Sequence, residues 1–314
     1  PRVAKGWNTH GLTQKQCDAY YMNDGTDCPG KDKEINRGDG SERMSGYVTK
    51  EDVEAGRYKP LSEGVSLQYA NREPRFYASV AYNGDVWNLL NSNKNAGEPQ
   101  NIQVFYYRGD GNGYTNSMFW LRTGIGVKKF VHPDDMGKGD NNEELIKKKV
   151  EPAIRYAEVL LIYAEALNEL NGQYDIPSWD GNKTHIIKRD INEMKKGIRP
   201  IRIRAGVPDY TQEEYDDPIE FRKKLKRERQ IELMGEGHRY FDLRRWLDAP
   251  VEETTPVYGC NMLATKDMAE QFHTPIMCTS LPTIFAEKMW LCPIDHTELK
   301  HNINLVQNPG WTNP

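Results

Sequence analysis

The chain has 314 residues, with 42 Lys and Arg against 46 Asp and Glu, and a formal net charge of -4. With 28% charged residues and a mean hydropathy of -0.81, it holds no apolar run of the ~20 residues that a spanning helix needs. The acidic balance withholds the basic footprint of a general nucleic-acid binder, and aromatics at 10% argue against disorder.

Residues 1–149 read as a loop-rich, aromatic-rich lobe. Nine asparagines fall between Asn71 and Asn116, among short aromatic runs at 75–80 and 102–107. Such runs between turn residues predict short strands or extended segments. Gly109-Asp110-Gly111 resembles a calcium loop only in outline, because the full acidic pattern with a distal Glu is missing.

Residues 150–249 change period. From Pro152 to Leu170 the polar side chains Arg155, Glu158, Glu165 and Glu169 recur at helical spacing among apolar ones. This predicts a mostly buried helix, opened by Pro152 and closed by Asn171-Gly172 in a left-handed cap. A second helix is expected over about 186–196. A third should run from Asp217-Pro218 to Met234, and a short one from His238 to Leu247, stopped by Pro250. Helix, turn, helix is the format of tetratricopeptide-like pairs, although their 34-residue signature is absent. Residues 250–314 predict an irregular wrap over these helices.

The five cysteines show no CxxC pair, so a zinc ribbon is unsupported. They read mostly as buried small hydrophobes, while Cys17–Cys28 or Cys260–Cys278 would suit a bridge in an oxidising compartment. The start at Pro1-Arg2-Val3 suggests a removed leader or a missing N-terminal portion.

The densest polar run is 226–246. Glu228 and Glu232 stand four apart and share a helix face. Interleaved arginines would hold such carboxylates ionised, which spoils them as general acids. A structural ion-pair network is therefore expected, comprising Arg155, Glu158, Glu228, Arg229, Glu232, Arg239 and Asp242. The sequence has no GxSxG elbow, HExxH helix, Walker loop or GxGxxG, and seven scattered histidines leave any metal site undefined. No cofactor is implied, and nothing marks an enzyme. What remains is a polar, aromatic surface. Tyr and Trp faces suit sugar rings, and Asn, Asp and Arg suit vicinal hydroxyls, although the same residues also serve ordinary strand packing.

Three segments carry a resemblance. They are 152–169 around Arg155-Tyr156-Ala157-Glu158, 228–246 with Glu236-Gly237-His238-Arg239-Tyr240-Phe241-Asp242-Leu243, and 290–311 ending in Gln307-Asn308-Pro309-Gly310-Trp311. Weaker matches lie at 20–25, 73–77 and 123–130, in the same order along the chain. Together they resemble the RagB/SusD family of cell-surface glycan-binding lipoproteins of Bacteroidota. The resemblance covers nearly the whole chain. Cys292, Asp295 and Glu73 depart from its pattern.

It implies a mainly α fold, with tetratricopeptide-like helix pairs and a large loop-rich lobe containing a few short strands. It also implies non-catalytic capture of an oligosaccharide or polysaccharide, or in some branches a peptide. The ligand would pass to a SusC-like TonB-dependent transporter at the outer membrane, on the extracellular face. The lipid anchor would lie outside this chain. A helical-repeat module that docks the transporter or a peptide, without a sugar site, is the alternative. The family's ligand contacts lie outside its motifs, so the site residues expected here are compositional. They are Trp7, Tyr20, Tyr21 and Trp87 for stacking, with Asn23 and Asp24 as polar partners.

Overall fold

The computed structural model describes residues 1, 4, 6–31, 43–90, 100–115, 120–138, 144–279 and 283–312. Among them eleven α-helices and nine short strands form a mainly helical fold. Part of the Asn-rich stretch, residues 91–99, lies outside the described residues.

The first helices are short and locally specified. Thr13 caps α1 (Gln14–Ala19) by accepting from Gln16 N. A capping box between Thr49 and Asp52 opens α2 (Lys50–Glu54). The aromatic run at 75–80, expected to be extended, is instead mostly helical: α3 (Pro74–Ser79) starts on Pro74 and buries Phe76. Proline presets the first-turn φ, and one helical turn sends Phe76 into a core where Tyr69 and Tyr82 meet its ring at 6.0 and 5.8 Å.

Chain pairing then brings distant segments together. The strand β1 (Val80–Ala81) follows α3, and β2 (Asp85–Leu90) pairs antiparallel with β3 (Gln100–Val104), setting Trp87 opposite Ile102. In turn β4 (Gly126–Val127) lies antiparallel to β1, with Ala81 opposite Gly126, and β5 (Gly137–Lys138) joins β2 in parallel.

The helical layer centres on α4 (Tyr156–Asn168). It starts four residues after Pro152 and ends on Glu169 in the right-handed region, so Asn171-Gly172 forms no left-handed cap. Nor is it buried all round. Leu161 and Ala164 reach the core, whereas Tyr156, Val159, Ile162 and Tyr163 are exposed. The hairpin β6 (Tyr174–Pro177) and β7 (Thr184–Ile187) takes the residues expected to start the second helix. That helix, α5 (Ile191–Arg204), begins later, where Asp190 accepts from Glu193 N, and continues through Pro200. Met194, Ile198 and Ile201 bury its inner face at the i, i+4, i+7 spacing. Tyr163 meets Glu193 near one end and Tyr156 shares a groove with Ile201 near the other, so α4 and α5 run antiparallel.

After α6 (Gln212–Asp216) comes α7 (Pro218–Glu232), opened by Asp217, whose carboxylate accepts from Ile219 N and Glu220 N. The next two helices are α8 (His238–Arg245) and α9 (Ala249–Glu252), and Pro250 sits in the first turn of α9 rather than ending the helical run. Residues 250–314 hold more regular structure than expected: β8 (Tyr258–Gly259), α10 (Ala269–His273), β9 (Ile276–Met277) and α11 (His296–His301). All five cysteines are free thiols; Cys17, Cys28 and Cys260 are buried.

Two compact units emerge: residues 1–234 with 257–278, and residues 235–256 with 279–314. The first holds two apolar cores. One is built on Tyr20, Tyr69, Phe76 and Tyr107, and the other on Leu161, Met194, Ile198 and Phe221. In the second unit Arg244 lies over Tyr240 at 3.5 Å and pairs with Glu253 at 2.7 Å.

Candidate functional site

Two of the expected stacking residues come together. Trp7 and Trp87 line one pocket of about 170 Å³, whose wall also includes Asn8, Thr9, His10, Ala81, Tyr106 and Gly126. The pairing of β1 with β4, and a bridge from Gly11 to Gly126, carry these segments to one place. Trp7 is 65% exposed. Trp87 is half-buried, and its indole Nε1–H has no hydrogen-bond partner among the described residues.

Beside Trp87 sits a compensated charge pair. Lys128 Nζ lies 5.5 Å from the Trp87 ring centroid and donates to both Asp85 carboxylate oxygens, at 2.9 and 2.8 Å. Burial pushes the Asp85 carboxyl up to about 6, and the Lys128 ammonium favours its ionised form. The pocket lining brings together aromatic rings, an imidazole and small polar groups.

The other expected site residues fall elsewhere. Tyr20 and Tyr21 are 0% and 1% exposed, so neither presents a face to a ligand. Tyr20 packs edge-on against Phe76 at 5.8 Å. Guanidiniums cover the Tyr21 ring, with Arg227 at 3.8 Å and Arg202 at 4.7 Å, and its hydroxyl meets that of Tyr210 at 3.0 Å. Apolar burial claims these two rings, and a flanking turn signal in the sequence gives no hint of it. Asn23 and Asp24 do sit exposed on that turn, outside the pocket lining. Asp24 already accepts from Thr26 N and Oγ1 at 2.9 and 2.7 Å. His10 and Tyr106 were not anticipated, because only the β1–β4 pairing shows that they converge.

The carboxylates of α7 lie in a buried ion-pair cluster whose cations come from far along the chain. Glu228 accepts from Arg75 at 2.6 Å, Arg202 at 3.0 Å and the Tyr210 hydroxyl at 3.3 Å. Glu232 accepts from Arg155 at 2.9 Å, Arg204 at 2.6 Å and Arg75 at 3.1 Å. Arg75 also donates to Glu73 at 2.7 Å, so one guanidinium serves three carboxylates. Burial pushes the Glu232 carboxyl up, but Arg204 and Arg155 outweigh it and hold the group below its ordinary value. A carboxylate held ionised this way is a poor general acid. Arg229 lies 3.9 Å from Glu165, and Glu158 occupies the first turn of α4. In the second unit Arg239 pairs with Glu252 at 3.1 Å, and Asp242 with Arg245 at 2.7 Å. Arg75, Arg202, Arg204 and Glu73 escaped the sequence reading, since no local spacing links them to α7. Among the described residues no group of three or more His, Cys, Asp or Glu side chains is placed to hold a metal ion.

The described residues thus combine a mainly helical fold, short strands and a pocket lined by aromatic side chains. The SusD family model matches residues 1–311, and the chain belongs to that family. A SusD-like protein P2 from Formosa agariphila is 30% identical over 160 residues, which is 50% of this chain and 25% of that protein. Among solved structures, BT4246 superposes with a TM-score of 0.72 at 22% identity, over 98% of this chain and 47% of its own. A SusD-like protein (BF3747) from Bacteroides fragilis gives 0.62, also at 22% identity, over 98% and 48%. The chain thus spans about half the length of these solved relatives, and its 160 matched residues cover a quarter of the curated one. No helix among the described residues is long and apolar enough to cross a membrane.

Proposed function

We propose that this chain forms the glycan-holding part of a SusD-like nutrient-uptake protein, which binds an oligosaccharide or polysaccharide without covalent chemistry. The protein would work at the outer membrane as a lipoprotein, and would pass its ligand to a SusC-like TonB-dependent transporter. Family membership supports the class of activity. The observation that carries the ligand assignment is the pocket where Trp7, 65% exposed, and Trp87 meet. An aromatic face with few directional polar groups suits a pyranose ring, whose C–H face stacks while its hydroxyls bond at the edge.

The test is a glycan-array screen followed by calorimetry on the strongest ligand. Replacing Trp7 by Ala, at a position 65% exposed, is expected to weaken binding about tenfold while leaving the melting temperature unchanged. Unchanged affinity in that variant would remove the pocket from the function.

A second reading has its own observation. Tyr156, Val159 and Ile162 stand exposed on α4, beside a groove of about 420 Å³ shared with Pro200 and Ile201. An apolar face of this kind suits tetratricopeptide-like docking of another helix or a peptide. Under this reading the chain would bind no glycan but would co-purify with a transporter or peptide partner.

A further inference from the structure

A second cleft, of about 260 Å³, lies in the first unit between residues 43–47, residues 66–68 and α10. Its frame is fixed by backbone pairing. Tyr47 forms a β-bridge with Ser66, Gly46 accepts from Leu67 N at 3.0 Å, and Val48 donates to Val65 at 2.8 Å. The Tyr47 ring forms one half-buried wall, tilted against the His273 imidazole at 5.7 Å. His273 is 8% exposed and held in place: Nδ1 lies 2.8 Å from Ala269 O, and Nε2 lies 3.4 Å from Asn83 Nδ2. The two long uncommitted side chains of the lining are Gln68 and Glu270. Neither the Gln68 amide nor the Glu270 carboxylate makes a side-chain hydrogen bond or ion pair among the described residues.

The chemistry of this lining selects a ligand. The one cation in the wall, Arg43, is spent in a double contact to Asp18, at 2.9 and 2.8 Å. Among the described lining residues Glu270 is then the formal charge left open, and it repels an anion. A free carboxylate accepts from two adjacent hydroxyls, a free amide both donates and accepts, and a phenol ring offers a stacking face. The volume falls just under the range of about 300–1,000 Å³ typical of drug-sized ligand sites, which suits one ring rather than a chain of rings.

We propose that this cleft is a separate binding site for a single neutral sugar ring, with Tyr47 as its platform and Glu270 and Gln68 gripping vicinal hydroxyls. It shares no lining residue with the Trp7–Trp87 pocket, so the two stand or fall independently.

The experiment titrates the chain with the methyl glycosides of glucose, galactose and mannose, and with methyl glucuronide as the anionic contrast. The His273 ring and the Gln68 side-chain amide are followed by NMR. At least one neutral glycoside is expected to shift both signals saturably, with methyl glucuronide about tenfold weaker. Glu270→Gln should remove that preference, and Gln68→Leu should weaken binding about tenfold, both at exposed or half-buried positions and with unchanged melting temperature. The Trp7→Ala variant should leave these shifts intact even where it abolishes polysaccharide binding. The proposal is overturned if no neutral glycoside shifts the two signals, if the shifts survive Gln68→Leu unchanged, or if the glucuronide binds as well as its neutral counterparts.

Discussion

Arg75 shows how much one side chain can hold. Its guanidinium lies within 3.1 Å of carboxylate oxygens on Glu73, Glu228 and Glu232, and its side chain is 14% exposed. Removing it leaves three largely buried carboxylates short of a partner, a far costlier state than a lost surface pair. Arg75→Met is expected to destabilise the fold by about 3–5 kcal/mol, read from the urea midpoint. A loss under about 1 kcal/mol would mean that Arg202, Arg155 and Arg204 suffice without it.

His273 carries a pH dependence of known sign. Burial pushes its pKa down to about 4, with Tyr69, Tyr107 and Phe272 around the ring and Tyr47 and Asn83 at its nitrogens. Its unfolded value is near 6.5, so below that pH the unfolded chain takes a proton that the folded chain refuses. Stability from this residue is complete above pH 6.5 and is lost as the pH falls towards 4, by roughly 2–3 kcal/mol at pH 4.5. Asp85, pushed up to about 6, works in the opposite direction over the same window, because its proton is easier to add in the folded state. The wild-type curve contains both, together with shifted carboxyls such as Glu73 and Glu232. Subtracting the curve of His273→Asn isolates the histidine, and curves of equal slope would refute the assignment.

At the scale of elements, α4 and α5 touch where α5 has no side chain. A Cβ placed on Gly197 would lie 2.6 Å from the Leu160 carbonyl oxygen and 2.9 Å from Ala164 Cβ. Glycine is thus required by close approach and not by backbone conformation. Alanine ordinarily favours a helix over glycine by about 1 kcal/mol. Here overpacking of about 1–3 kcal/mol opposes that gain. Gly197→Ala is expected to lower the thermal midpoint, and a raised midpoint would show that the two helices part at little cost. The helix ends, by contrast, are set by their own residues: Asp217 caps α7 and Asp190 caps α5 with no help from distant parts of the chain.

Over the whole molecule, the apolar face of α4 is the largest departure from the expected burial. Tyr156 is 76% exposed, Ile162 50% and Val159 48%, and all three come from the segment that reads as mostly buried. Replacing Tyr156 and Ile162 together by Gln is expected to change stability by less than about 0.5 kcal/mol, as for other exposed positions. A large loss of stability would place these side chains in a core. Ion pairs were legible as a motif at Glu228 and Glu232, whose spacing puts both on one helix face. Arg155 was expected in the same network and does meet Glu232, at 2.9 Å. Arg75, Arg202 and Arg204 were not legible, because no local spacing ties them to α7; Arg75 lies 153 residues from Glu228.

The sequence by itself determined the long helices, the shared face of Glu228 and Glu232, and the family to which the chain belongs. Each of these rests on periodicity or on ordered short motifs, which a one-dimensional string records directly. Only the tertiary structure decided which aromatics are platforms and which are core. Tyr20, Tyr21, Trp7 and Trp87 are the same kind of residue in the sequence, yet the first two are sealed under Phe76 and Arg227 while the others meet in one pocket. Their fates depend on the pairing of β1 with β4 and on helices contributed from more than a hundred residues away. Burial is a property of neighbours brought together by folding, and no local spacing encodes it.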